Sequence, residues 1–156
     1  GAKGRSETGV LAMPMIDIYA TAGTFADVHA LAREAAATVM RVEAVPEIPL
    51  FTQNTAGFVH ELPAGALSDV EGSGNHVRVQ VLTNAGALSR EQQLAVVAQL
   101  TELVATAAGD PTLTARTWVT LTEAVAGGWG IGGHAHTNDE IVAAARAQIG
   151  ALQAGA

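Results

Sequence analysis

Residues 75–82, NHVRVQVL, place Val77, Val79 and Val81 on one side of an extended chain and His76, Arg78 and Gln80 on the other. That period of two predicts a strand with one apolar and one polar face. Downstream, after the turn NAGAL (84–88), Ser89 and Gln92 form a capping box that predicts the start of a helix with apolar positions Leu94, Val97, Leu100, Val104 and Ala107. Gly109-Asp110-Pro111 ends it. ARTWVTLTEAV (115–125) then reads as a strand, and GGWGIGG (127–133) is too glycine-rich for a helix.

Upstream the same order appears. In MPMIDIYA (13–20), Ile16, Ile18 and Ala20 alternate with Asp17 and Tyr19, a strand that Gly23 closes. FADVHALAREAAATVMRVEAV (25–45) carries Phe25, Val28, Leu31, Ala35, Val39 and Val42 at helical spacing, and Pro46 and Pro49 stop it. TAGFVHELPAG (55–65) is a short strand and turn, and LSDVEGSGN (67–75) is the loop at the midpoint. Thr137 and Glu140 cap a last helix, DEIVAAARAQIGAL (139–152).

The chain therefore reads as an α+β fold built from tandem duplicated β-α-β units. Each helix is long enough to return the chain parallel, so two units give a four-stranded sheet with two helices on one face and an extra C-terminal helix. The organisation expected is a leader or appended extension at 1–12 and a single domain at 13–156, with units at 13–71 and 75–133 and the terminal helix at 137–153. Two helices cover only one side of a sheet. A Val-rich face left opposite them would need a cover, which predicts a symmetric oligomer.

Composition narrows the chemistry. The chain has 156 residues, 49% hydrophobic and 15% charged, enough to bury a core. Eight basic against fifteen acidic side chains give a net charge of −7, which disfavours a phosphate-binding surface and hence nucleic acid. No apolar run reaches the roughly 20 residues of a membrane span, so no membrane partner and a cytoplasmic location are expected. With no cysteine there is no thiol chemistry, and the only lysine, Lys3, leaves no Schiff-base or P-loop lysine in the body. No cofactor is called for.

From HVRVQVL through LSREQQLAVVAQLTELVATAAGDP to TWVTLTEAVAGGWGIGG, the second half resembles the 4-oxalocrotonate tautomerase family in order and spacing, most sharply at TEAVAGGWGIGG. Met13-Pro14-Met15-Ile16 resembles the start of a tautomerase, and FVHELPAG (58–65) is similar to a strand and turn of the cis-3-chloroacrylic acid dehalogenase family. Together these stretches, about residues 13 to 133, resemble a fused two-unit member of the tautomerase superfamily. The resemblance implies a tautomerase/macrophage migration inhibitory factor-like fold, a homotrimer, and a small carboxylate-bearing substrate. It also implies that Met13 is removed to leave Pro14 as an amino-terminal base.

A free α-amino group has a reference pKa of about 7.7 to 8, and an apolar pocket disfavours its ammonium form, so such a proline is poised to take a proton α to a carbonyl. Within an intact chain the Pro14 nitrogen is an imide with no basic lone pair; GAKGRSETGVLA (1–12) must then be an added extension, an early start, or a genuine segment that silences the site. Pro14 also fits the opening of an edge strand, where proline is tolerated.

The arginines depart from the resemblance. The tautomerase family's arginine positions fall here at Thr24, Trp118 and Ala56, the dehalogenase pair near Asn84 and Ala87, and its tyrosine near Thr120. That leaves Arg116, Arg78 and Arg41 as carboxylate-binding candidates. Arg116, two residues before Trp118, is expected on the same sheet face and is the first choice, with a solvated strand-end charge as the alternative. Arg78 fits a pair with a glutamate as well as a ligand contact. Trp129 matches the family's aromatic pocket wall or a packing residue, and His76 is the histidine closest to a pocket role.

Gly128, Gly130 and Gly133 spell GxGxxG, but only 23 residues follow Gly133, too few for a dinucleotide unit. His134, His136 and Asp139 lack the spacing of a known metal set, so no metal site is assigned. Two functions remain: a proline-dependent tautomerase acting on a small 2-oxo or unsaturated carboxylate, or a catalytically silent trimer that binds a ligand or partner.

Overall fold

A computed structural model of the chain describes residues 13–155. The leader at 1–12 lies outside the described residues. Strand β1 (Met15–Thr21) leads to helix α1 (Val28–Glu43), a one-turn helix α2 (Pro49–Thr52) and strand β2 (Ala56–Leu62). The second unit runs β3 (Val77–Thr83), α3 (Arg90–Ala108), a 3-10 turn (Pro111–Arg116) and β4 (Thr117–Glu123). Two short strands, β5 (Trp129–Ile131) and β6 (His134–His136), precede α4 (Asn138–Ala154). Among the described residues no helix is long and apolar enough to cross a membrane.

The sheet order is β2-β1-β3-β4. β1 pairs parallel with β2, β3 parallel with β4, and the units join through an antiparallel β1–β3 pair in which Ile16 faces Val81 and Ile18 faces Val79. Ile16, Ile18, Val77, Val79 and Val81 are fully buried with Leu31, Ala35, Val39, Val96, Leu100 and Val104 of the two helices. This corrects the expectation of an open valine face. Helices α1 and α3 lie on the valines because only that side offers apolar area to bury. The open face is polar and aromatic instead: Asp17, Tyr19, His60, Arg78, Gln80 and Trp118 stand on it.

Other boundaries shift for local reasons. Asp27 caps α1 by accepting from the Ala30 N–H at 3.0 Å, so Phe25 is buried ahead of the helix rather than within it. α1 ends at Ala44, which adopts the left-handed conformation (φ 54°) two residues before Pro46. Pro49 then starts α2, an element without a periodic signal. In α3 the register differs from expectation: Val96 is buried and Leu94 is 55% exposed. Both capping boxes, Ser89/Gln92 and Thr137/Glu140, are formed. The glycine cluster folds as a hairpin with φ 60° at Gly132 and 85° at Gly133, the two positive angles of a type I′ turn.

A second core lies at the end of the sheet where β1 begins. Met13, Val45, Ile48, Phe51, Trp129, Ile141 and Ala145 are buried together there. α4 closes it, tied by Gln148 Oε1, which accepts from the Leu50 N–H at 2.6 Å, and by Asn138 Nδ2, which donates to the Ala85 carbonyl at 3.0 Å.

One buried group opposes the fold. Glu43, four and eight residues beyond Val39 and Ala35 on the core side of α1, is 2% exposed with neither carboxyl oxygen hydrogen-bonded. Burial pushes its pKa up to about 8. The unfolded chain ionises it near 4.5, so between those values the folded state holds more protons and stability falls as pH rises. Urea unfolding at pH 5 and pH 8.5 should show this loss, and Glu43→Gln should flatten it. At Gly57 of β2 a Cβ would collide with the Ala32 carbonyl oxygen of α1. Gly57→Ala should therefore cost about 1–3 kcal/mol in the same assay.

Candidate active site

The order of strands decides what can meet Pro14. It is buried at the head of β1, an inner strand, which removes the edge-strand alternative, and its carbonyl accepts from the Ala56 N–H at 3.3 Å. Because β3 runs antiparallel to β1, and β4 parallel to β3, the ends of both reach the same edge. Leu82, Thr83 and Asn84 of the first and Ala124 after the second therefore lie at the Pro14 end.

The β5–β6 hairpin folds back over that end. Trp129 is buried against Met13, and with Met15, Leu82, Ala124 and Asn54 it lines a cavity of about 410 Å³. The His136 Nδ1 lies 3.3 Å from the Trp129 carbonyl, and His134 Nε2 lies 2.7 Å from Glu140 Oε2, so the hairpin is pinned to the first turn of α4. That pairing, with the Thr137 backbone N–H as the larger contribution, lowers the Glu140 pKa.

Asn84 is a buried polar group bonded to the residue before the proline. It is 2% exposed, its Oδ1 accepts from the Met13 N–H at 3.1 Å, and its Nδ2 has no partner. Three covalent bonds separate the Met13 and Pro14 nitrogens, so this amide stands beside the bond whose cleavage would free the proline. Sequence reasoning noted Asn84 only as a lost arginine position; nothing in its flanking residues marks it as buried.

The other candidates disperse. Arg116 sits at the opposite end of β4, roughly 20 Å along a seven-residue strand from the Pro14 end. There its Nη2 pairs with Asp110 Oδ2 at 2.9 Å, Nε donates to the Asn75 carbonyl at 3.0 Å and Nη1 to Thr112 Oγ1 at 2.9 Å. Hydrogen bonds from Thr112 and then from Arg116 hold the Asp110 carboxyl below its ordinary range. Arg78 lies on the open face with its guanidinium 5.5 Å from the centre of the Tyr19 ring and Nη2 3.5 Å from Gln80 Oε1. His76 stacks on Trp118 at 4.5 Å, with Nε2 3.6 Å from Asp69 Oδ2. Arg41, in the last turn of α1, donates to Thr38 Oγ1 at 3.3 Å and shares a groove with Glu34 and Glu102. Of the candidates, Trp129 stands in the apolar cluster of Met13 beside Pro14; Arg116, Arg78 and His76 belong to the far end and open face.

A four-stranded sheet of this order, with two helices on one face and a hairpin over the head of β1, has solved counterparts. An asymmetric trimer of a fused 4-OT matches with 21% identity and a TM-score of 0.64, over 80% of this chain and 96% of that one. The chain has the tautomerase-superfamily fold. A symmetric fused 4-OT trimer gives 16% identity and a TM-score of 0.67 over 81% and 97%. Malonate semialdehyde decarboxylase gives 20% and 0.60 over 83% and 97%. No family model and no curated protein matches the sequence.

Arg116→Ala should lower the urea midpoint, because it strips three backbone and side-chain partners at the β3–β4 edge. Arg41→Ala, which loses one side-chain hydrogen bond, should leave that midpoint within error.

Proposed function

We propose that the chain is a tautomerase-type enzyme. Pro14, made the chain terminus by removal of Met13, is the general base for keto-enol tautomerisation of a small 2-oxo or unsaturated carboxylate. The observation that supports this reading is the position of Pro14: buried, at the head of an inner strand, one residue before Met15, which with Trp129 lines a cavity. Apolar walls disfavour the ammonium form of a free prolyl amine and keep a fraction of it basic near neutral pH.

In the step envisaged, the amine lone pair takes a proton from the carbon α to the carbonyl. The C–H electron pair becomes the enol double bond, negative charge builds on the carbonyl oxygen, and the ammonium returns its proton to another carbon or to oxygen. The likeness to fused 4-OT trimers supports a homotrimer. Arg78 and Arg116 would reach a Pro14 site only across a subunit interface, whereas Arg41, on the turn of α1 nearest the second core, belongs to the same end of its own protomer. The carboxylate-binding role is assigned to these arginines, with Trp129 as an apolar wall of the substrate site; His76, stacked on Trp118, would join the arginines from a neighbouring open face.

The second reading, a catalytically silent binding trimer, is favoured by one observation: Met13 is fully buried at the site, and while it is attached Pro14 has no basic nitrogen. Protein verified by mass to begin at Pro14 should ketonise the enol of phenylpyruvate, and the 156-residue chain should not. Pro14→Ala in the short form should lose about 10²-fold or more in kcat with an unchanged oligomer by sedimentation. Equal rates in the two lengths would remove Pro14 as base.

A further inference from the structure

Met13 behaves as a bound ligand would. Its side chain is 0% exposed among Val45, Ile48, Phe51, Trp129, Ile141 and Ala145, although it precedes the first strand of the sheet. Chain segments before a first strand are rarely core residues, since they have few neighbours to bury them. Here three elements far apart in sequence, α2, the β5–β6 hairpin and α4, close around one unbranched thioether. An unbranched, flexible side chain is also the kind that fills irregular space without specific shape.

The neighbouring cavity shares walls with that cluster. Trp129, Met15, Leu82, Ala124 and Ile131 belong to both, and none of the residues lining the cavity is ionisable. A ligand with a second carboxylate at its far end would bury that charge without a cation, at a cost far above what packing against apolar walls returns. A ligand with an alkyl or thioether end would fill the space of the Met13 side chain and touch the same walls.

Asn84 supplies the polar end. Its partner in the intact chain is a backbone N–H, so the oxygen must face Met13 and the amide nitrogen is the group left over, buried and unpartnered. A buried donor without an acceptor is uncommon and calls for one. Beside a backbone nitrogen three bonds from that of Pro14, this amide is placed to hold the oxygen of a carbonyl whose α carbon lies at the proline.

We infer that the space filled by Met13 is the binding chamber for the uncharged, apolar tail of the substrate, with Asn84 Nδ2 as the donor to its carbonyl oxygen. This rests on the tautomerase reading of the same site and adds its substrate class: a 2-oxo monocarboxylate with a straight apolar tail of about the length of methionine, in preference to a dicarboxylate. In the step above, the charge that leaves the α C–H bond collects on the oxygen held by Asn84, and the donor strengthens as it does so.

The test separates chamber from chemistry. Trp129 fluorescence is read in a Trp118→Phe background, with hexanoate and adipate as probes that differ only at the far end. Protein beginning at Pro14, and the 156-residue chain carrying Met13→Ala, should both bind hexanoate saturably and at least tenfold tighter than adipate. The unaltered 156-residue chain should bind neither. Met13→Ala keeps the proline in an imide bond, so it should fill without turnover, and it also serves should the shortened chain fail to fold. With the enols of 2-oxohexanoate and 2-oxoadipate, the Pro14 form should favour the first at least tenfold in kcat/KM, and Asn84→Leu should lower its kcat tenfold or more. Saturable hexanoate binding with no turnover would leave the chamber standing and sink the tautomerase reading. Turnover accompanied by tighter binding of adipate than of hexanoate, or by a preference for the dicarboxylate enol, would keep the enzyme and overturn the chamber, and unchanged kcat in Asn84→Leu would overturn the donor.

Discussion

The antiparallel pairing of β1 with β3 is the contact on which the rest depends. Each β-α-β unit can bury one strand face under its own helix, but a two-stranded parallel pair exposes two unpaired edges and half a core. Setting Ile16 against Val81 and Ile18 against Val79 joins the two apolar faces into one surface, wide enough for α1 and α3 to lie side by side. The same pairing sends the start of β1 and the ends of β3 and β4 to a single edge. Pro14, Asn84 and the hairpin meet there as a consequence of strand direction, without any local sequence signal that joins them.

At that edge the sheet runs out of helix to cover it, and the second core forms. α2, the hairpin and α4 contribute one or two buried apolar groups each, which is too little for any of them to be stable alone. Their hydrogen bonds, from the Leu50 N–H of α2 to Gln148 of α4 and from Asn138 of α4 to the Ala85 carbonyl, fix them around the apolar contents. Such a small core is held by what fills it. Met13 is its central filler, and this ties the packing of the terminal helix to the state of the bond preceding Pro14.

Periodicity made most of the fold legible. The alternations of 16–20 and 77–81, the two capping boxes and the proline and glycine stops each correspond to an observed element, because each is a local signal whose physics is complete within a few residues. What was not legible is non-local. The side of β3 that receives the helices follows from the total apolar area of both units, so the valine face was expected to be open when it is covered. Leu94 and Val96, two residues apart, stand on nearly opposite sides of α3, and apolar residues on both sides leave periodicity without a single choice between them. For the candidate site, the placing of Pro14 and Trp129 at one end of the sheet was legible through resemblance. Asn84, Glu43 and the burial of Met13 were not, since asparagine and glutamate are ordinarily exposed and a methionine before a first strand has no pattern around it.

Glu43 and Met13 give opposite signs to the same end of the molecule. A carboxyl without partners destabilises the fold where it ionises, and nothing in the core requires it. Met13 stabilises the second core by filling it, and yet its peptide bond removes the lone pair that the proposed mechanism asks of Pro14. On the proposed mechanism stability and chemistry compete within a single residue: the chain that packs best is the chain with an imide at Pro14. A free amine there requires that the void left by Met13 be refilled, by water, by movement of α4, or by a ligand. Water is the poorest of these in an apolar cavity. Movement of α4 would break its bonds to Leu50 and Ala85. A ligand that matches the lost side chain restores the packing without either cost, which is why occupancy of that space and exposure of the proline are coupled events rather than independent ones.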